Sequence, residues 1–213
     1  MRSRAMQTHF TSIHERAEMS AAIHPVWLRI IHWLNVLAVV LMVTSGWRIY
    51  NAAPFWPVSF PTDWTLGGWL GGALQWHFAG MWLLGINGLL YISLNLGSGR
   101  FRRKFLPLAP SVVLTDLKAA LRGRLSHADL SHYNGLQKAA YLFTVLDLAV
   151  LVVSGLVLWK SVQFSVLRDL LGGYDTARRV HFIAMGLLLG FVAGHVFMVA
   201  LVPRTLLTMI RGR

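Results

Sequence analysis

The sequence predicts an all-α integral membrane protein: a four-helix bundle with both termini cytoplasmic and a cytoplasmic amphipathic helix between the second and third spans. Three observations carry this. Hydrophobic residues make up 55% of the 213 and charged residues only 13%, about half the charged share of a soluble domain, and the mean hydropathy is +0.55. Four apolar stretches reach the roughly 20 residues that a membrane-crossing helix needs. The basic residues, 20 against 8 acids, sit between those stretches. The net charge of +12 therefore reads as an orientation signal and argues against a nucleic-acid partner.

The spans are expected at Val26–Ile49, Gln75–Leu96, Leu136–Lys160 and Arg178–Val202. Residues 1–22 read as a polar cytoplasmic tail, with Arg2, Arg4, Arg16, Glu15 and Glu18. They contain no apolar core followed by a cleavage site, so no signal peptide is expected. Residues 23–213 then form one transmembrane domain. With the N-terminus inside, fifteen of the 20 Lys and Arg lie on the cytoplasmic side, leaving Arg48, Lys160, Arg168, Arg178 and Arg179 outside. Between the second and third spans, Leu114, Leu117, Leu121 and Leu125 share one helical stripe beside Lys118, Arg122 and Arg124, as in a helix lying on anionic membrane lipid. The external segment from Asn51 to Leu74 has one acid, no base, three prolines and Trp56, Trp64 and Trp69. Interfacial anchoring accounts for such tryptophans; docking of an external partner is the alternative. No internal repeat is evident.

The chain has no cysteine, which excludes thiolate-held iron–sulfur clusters, Cys-attached haem, disulfides and thiolate zinc sites. A bound metal must rest on the nine histidines or on oxygen. His32 lies in the first span, His77 in the second, and His181 and His195 in the fourth. Ionisable groups inside a span are costly and usually functional. His181 and His195 are 14 residues apart, about 21 Å along a helix and within about 40° of one face. Depth supplies their partners. His77 lies 23 residues before Arg100 and His181 lies 23 before Arg204, whereas His32 lies 16 before Arg48 and His195 lies 16 after Arg179. The spacing pairs His77 with His181 near the outer surface and His32 with His195 near the inner one. Zinc takes three or four protein ligands, but haem b needs only two axial imidazoles. Two bis-histidine haem b groups are the expected cofactors. Gly46, Gly80, Gly85, Gly88 and Gly155 are expected to make room for the rings or to let helices pack closely.

The run LRIIHWLNVLAVVLMVTSGW, the Trp-His of the second span, HYNGLQK at the start of the third, SGLVLW at its end, and RRVHF with GHVFM in the fourth resemble the bacterial di-haem cytochrome b family. That family includes the b-type cytochrome subunits of nickel–iron hydrogenases, formate dehydrogenase and thiosulfate reductase, and the bacterial cytochrome b561 proteins. The resemblance covers about Ile23 to Arg213 and places the family's axial ligands on His32, His77, His181 and His195. It implies transmembrane electron transfer between a periplasmic redox enzyme, of molybdenum or hydrogenase type, and membrane quinone, in the bacterial inner membrane.

Tyr133-Asn134-Gly135-Leu136-Gln137-Lys138 resembles a segment of the formate dehydrogenase subunit. Asn134 and Gln137 are accordingly expected to bond a quinone carbonyl or a haem propionate, or else simply to form a polar helix start. Lys138 would neutralise propionate or lipid phosphate. Arg178 and Arg179 would meet the outer propionates or anchor the helix end. Asp147 is the only acid well inside a span and should either relay protons or make a structural hydrogen bond. His9, His14, His24, His127 and His132 read as interfacial or solvated. The main rival function is a self-sufficient superoxide:quinone oxidoreductase of cytochrome b561 type, with Arg48, Lys160, Arg178 and Arg179 forming a positive approach. A histidine-based metal permease is disfavoured because no paired carboxylates accompany the histidines.

Overall fold

The computed structural model describes residues 24–99, 109–122 and 135–212. Their helices are α1 (Val26–Ala52), α2 (Leu70–Gly97), α3 (Pro110–Leu121), α4 (Gly135–Trp159), α5 (Ser165–Leu170), α6 (Tyr174–Leu201) and α7 (Arg204–Arg211). Among the described residues there is no strand. The helices α1, α2, α4 and α6 are long and apolar enough to cross a membrane, so the all-helical membrane class and its four spans are as predicted. Three spans run beyond the apolar windows: α1 continues to Ala52, α2 begins at Leu70, and α6 begins at Tyr174. Hydropathy marks where a helix is greasy, but backbone hydrogen bonding continues past that limit. Asp175 in the first turn of α6 suits the positive end of a helix dipole. Gly172 and Gly173, at φ 78 and 98, make the turn into α6 in a region that side chains avoid.

The chain divides into two compact units. The first holds α1, most of α2 and α7. Within α1, the Thr44 hydroxyl donates to Val40 O (2.7 Å) and the Ser45 hydroxyl to Leu41 O (2.5 Å), returning polar groups to the helix's own carbonyls where water is absent. The two spans meet at Ala38, which is fully buried, and Gly80, where an added Cβ would lie 2.7 Å from Met42 Cγ. Two turns further along α2, buried Asn87 donates Nδ2 to Ile31 O (2.8 Å) and Asn35 Oδ1 (2.7 Å). Helix α7 closes against the start of α1, where Arg29 donates to Ile210 O (2.6 Å) and Trp33 to Met209 O (3.4 Å).

The segment after α1 is ordered by aromatic packing. Trp47 stacks on Phe60 at 4.7 Å, and Tyr50 meets Phe55 and Phe60 edge-on at 5.2 and 5.7 Å. The Asn51 side chain both donates to Phe60 O (2.8 Å) and accepts from Phe60 N (3.0 Å). Trp56, Trp64 and Trp69 remain exposed.

The second unit holds α3 to α6. Helices α4 and α6 pack together, and the fully buried residues Ser154, Val157 and Ala177 are small, which allows close approach. Helix α3 docks on the start of α4, where Asp116 Oδ2 accepts from Gly135 N (2.6 Å). An added Cβ at Gly135 would lie 2.9 Å from Val112 Cγ1. Val112, Val113 and Asp116 therefore face α4, while Leu114 of the predicted stripe is exposed, as contact with lipid requires. Leu125 and the side chains of Leu117 and Leu121 lie outside the described residues. Gly135→Val is expected to cost about 1–3 kcal/mol. Thermal unfolding in detergent checks this, with a lowered midpoint expected.

Candidate functional site

His77 is the eighth residue of α2, and its partners come from α1 of the same unit. Ser45 Oγ lies 3.1 Å from His77 Nδ1, and Met42 O lies 3.1 Å from the same nitrogen. A serine hydroxyl has one hydrogen, and here it points to Leu41 O at 2.5 Å. Toward the imidazole, Ser45 Oγ is therefore an acceptor, and Met42 O can only accept. Both contacts require a proton on Nδ1. His77 Nε2 is then the lone-pair nitrogen, the one available to a metal.

The second unit repeats this arrangement. Ser154 on α4 donates to Val150 O (2.6 Å) and presents Oγ to His181 Nδ1 on α6 at 2.9 Å. His181 Nδ1 donates to it, and its Nε2 is likewise left for a metal. Each serine precedes a glycine that makes room for the ring. An added Cβ would lie 3.5 Å from His77 Cε1 at Gly46 and 3.3 Å from His181 Cε1 at Gly155. The space expected beside these glycines for a porphyrin is thus taken up by an imidazole edge. Gly80 packs on α1, as close helix packing requires, while Gly85 and Gly88 meet nothing within 4 Å.

The two arrangements are in register. Ser45 and Ser154 are each the twentieth residue of their helix, and His77 and His181 are each the eighth of theirs. The chain thus contains a repeat that the sequence reading missed. The serines were missed with it, although the Ser-Gly step stands in both quoted segments. Ser154→Ala removes the acceptor at Nδ1, and changes of this kind weaken metal binding by about 10- to 100-fold. Haem retention through purification measures the effect; Ser154→Thr, which keeps a hydroxyl, should lose less.

The other two histidines are differently placed. His32, the seventh residue of α1, is half-buried and meets Trp33 edge-on at 5.4 Å. His195, on α6, is exposed and stacks on Phe191 at 5.9 Å. His181 and His195 lie on one unbroken helix, as their spacing predicted. Arg178 is half-buried and Arg179 exposed, in the turn of α6 before His181. Gln137 is exposed and Lys138 half-buried in the first turn of α4. Asn134, Tyr133, His9, His14, His127 and His132 lie outside the described residues. Asp147 is 6% exposed and stands two turns from Ser154 on the same face of α4. Its Oδ2 has no hydrogen-bond partner, so the structural bond expected of it is not made by that oxygen. Among the described residues no three His, Cys, Asp or Glu side chains cluster to hold a metal ion.

The family described as prokaryotic cytochrome b561 matches residues 23–212. The chain belongs to this family. It is thus a multi-pass membrane haem protein of the electron-transport class, with haem of the b type. The donor chemistry suits such a group: in each unit one imidazole is fixed at Nδ1 by a serine, which leaves Nε2 as the nitrogen that could hold iron. A relative from Azospira oryzae, provisionally named protein-methionine-sulfoxide reductase subunit YedZ1, is 66% identical over 191 residues, covering 90% of this chain and 96% of the relative. No solved structure matches significantly.

Proposed function

We propose that this cytochrome carries electrons across the bacterial inner membrane from the quinone pool to a periplasmic catalytic subunit that reduces methionine sulfoxide in proteins. One observation carries the reading: the repeated serine–histidine pair that fixes Nδ1 of both His77 and His181 as the proton-bearing nitrogen, so that Nε2 is the nitrogen suited to a metal. The depth matching of the sequence pairs these two histidines, which together would hold one outer haem. Their equivalence in the repeat adds to the depth matching, which pairs His32 with His195 for a second haem near the cytoplasm. Both termini are cytoplasmic in this scheme, as the positive charges require. The name of the Azospira oryzae relative supports the partner and its substrate, and a reductase in the periplasm sets the direction of flow outward.

Six-coordinate bis-histidine haem supplies one-electron, outer-sphere transfer with no open position for substrate. The chain's part is to hold and orient. Ser45 and Ser154 fix the imidazole tautomers, and Gly46 and Gly155 leave room for the rings to stand. Arg178 and Arg179 neutralise propionates at the outer level. At the cytoplasmic start of α4, Asn134, Gln137 and Lys138 hold inner propionates or a quinone carbonyl. The exposed Trp56, Trp64 and Trp69, on an aromatic-braced loop, offer the partner a docking surface of molybdenum-enzyme rather than hydrogenase type. Reduction of methionine sulfoxide to methionine and water consumes two electrons and two protons.

The test uses purified cytochrome reduced by a quinol. Methionine sulfoxide should reoxidise it only when the catalytic subunit is present. Rapid reduction by superoxide, with onward transfer to quinone and no partner, would instead establish the self-sufficient oxidoreductase.

A further inference from the structure

Between α4 and α6, inside the second unit, lies an open groove of about 320 Å³. Phe143, Leu146 and Val150 line it on α4, and Val180, Ile183 and Leu187 on α6. Its walls are apolar except for Asp147, which is 6% exposed and whose Oδ2 has no hydrogen-bond partner. Leu146, Ile183 and Leu187 are about half exposed, so the groove opens to the surface. Both helices are long and apolar enough to cross a membrane, so a lipid-soluble molecule is the kind of occupant that could enter at mid-helix.

A buried polar atom without a partner is costly, and more so where no water can reach it. An acyl chain would fill the groove but leave Oδ2 unpaired. The occupant that suits these walls is apolar over most of its surface and carries an oxygen that can bond a carboxyl group. The groove's location adds a third requirement. Val180 immediately precedes His181, and Asp147 shares a face of α4 with Ser154, which holds His181. An occupant therefore lies along the turn of α6 that carries a proposed haem ligand, within reach for electron exchange. A lipid-soluble, oxygen-bearing, redox-active ring is a quinone.

We infer that this groove binds a membrane quinone, with Asp147 Oδ2 bonded to one ring oxygen. A protonated carboxyl donates to a quinone carbonyl, and a carboxylate accepts from a quinol hydroxyl, so one residue serves both forms. The inference rests on the electron-carrier reading but moves the quinone about 15 Å along α4 from Gln137, which stands ten residues earlier.

The experiment titrates the haem-loaded protein in detergent with 2-heptyl-4-hydroxyquinoline N-oxide, a fluorescent quinone analogue. Binding is read as quenching, and the b-type spectrum is recorded for every sample. Asp147→Leu removes the bonding oxygen. Val150→Trp, at an exposed wall position, fills the groove without altering the carboxyl and remains decisive if Asp147→Leu fails to fold. Both are expected to bind at least about tenfold more weakly than the parent, Asp147→Leu through the lost hydrogen bond and Val150→Trp through the lost space. Val166→Ala, at an exposed position outside the groove, should bind as the parent does, and Gln137→Ala is titrated beside it. Parent-like binding by Asp147→Leu and Val150→Trp overturns the inference. If Gln137→Ala is then the weakened variant, the quinone sits at the cytoplasmic end and the electron-carrier reading stands. A parent protein that shows its b-type spectrum but binds no analogue overturns both the groove and the quinone link.

Discussion

Replacing His181 with alanine is expected to remove one of the two proposed haems and to abolish electron delivery to the periplasmic partner. His181 Nδ1 is committed to Ser154 Oγ, so Nε2 is the only ring nitrogen left to bind iron, and alanine offers none. Loss of one axial ligand from a bis-histidine haem leaves His77 to hold the ring alone. The b-type absorbance per chain should fall by about half, because the second haem keeps both its ligands. The equivalent change at His77 should give the same spectrum, since the two histidines hold equivalent places in the repeat. His32→Ala and His195→Ala should each leave the complementary half. Reduced-minus-oxidised spectra, with haem counted per chain, check all four.

Gly155→Val is expected to have the next largest effect. A Cβ there already lies 3.3 Å from His181 Cε1, and valine's two methyl groups need space that the imidazole occupies. Overpacking of this kind costs about 1–3 kcal/mol. The ring relieves it by turning away from Ser154, which takes Nε2 off the iron. Haem occupancy should therefore fall more than in Ser154→Ala, where the ring keeps its space. Gly46→Val should be milder, since its Cβ would lie 3.5 Å from His77 Cε1 and Met42 O still holds Nδ1. Gly97→Val, at the last residue of α2 where nothing lies within 4 Å of an added Cβ, is the control. Its haem content should match that of the parent. Haem-to-protein ratios measured after purification rank the four proteins.

Much of this was legible in the sequence, for identifiable reasons. A span announces itself because about 20 apolar residues in a row have no other common use, and α1, α2, α4 and α6 all stand where the hydropathy put them. His32, His77, His181 and His195 stood out because histidine in a span is expensive. Span ends were less visible. The start of α6 at Tyr174 depends on Gly172, Gly173 and Asp175 rather than on hydropathy. The repeat was hidden by the connecting segments. Ser45 and His77 are 32 residues apart but Ser154 and His181 only 27, so no single offset aligns both pairs, and most of the other matches, such as Phe78 with Phe182 and Met81 with Met185, are apolar residues common to any span. The role of the serines could not be read at all without the second helix. A serine in a span ordinarily bonds its own helix, as both do here, and only the neighbouring imidazole gives the remaining lone pair its use. Asp147 was conspicuous as a lone acid. That one of its oxygens would stay unpaired inside an apolar groove was visible only once α6 was in place.

On the proposed function two bis-histidine haems sit in this chain, one on His77 and His181 and the other on His32 and His195. Haem quantification combined with low-temperature electron paramagnetic resonance, on the purified protein and on His181→Ala, tests it most directly. The account predicts two low-spin haems per chain in the parent and one in the variant, the survivor keeping its low-spin signal. A single haem in the parent, or both signals persisting in His181→Ala, would contradict it.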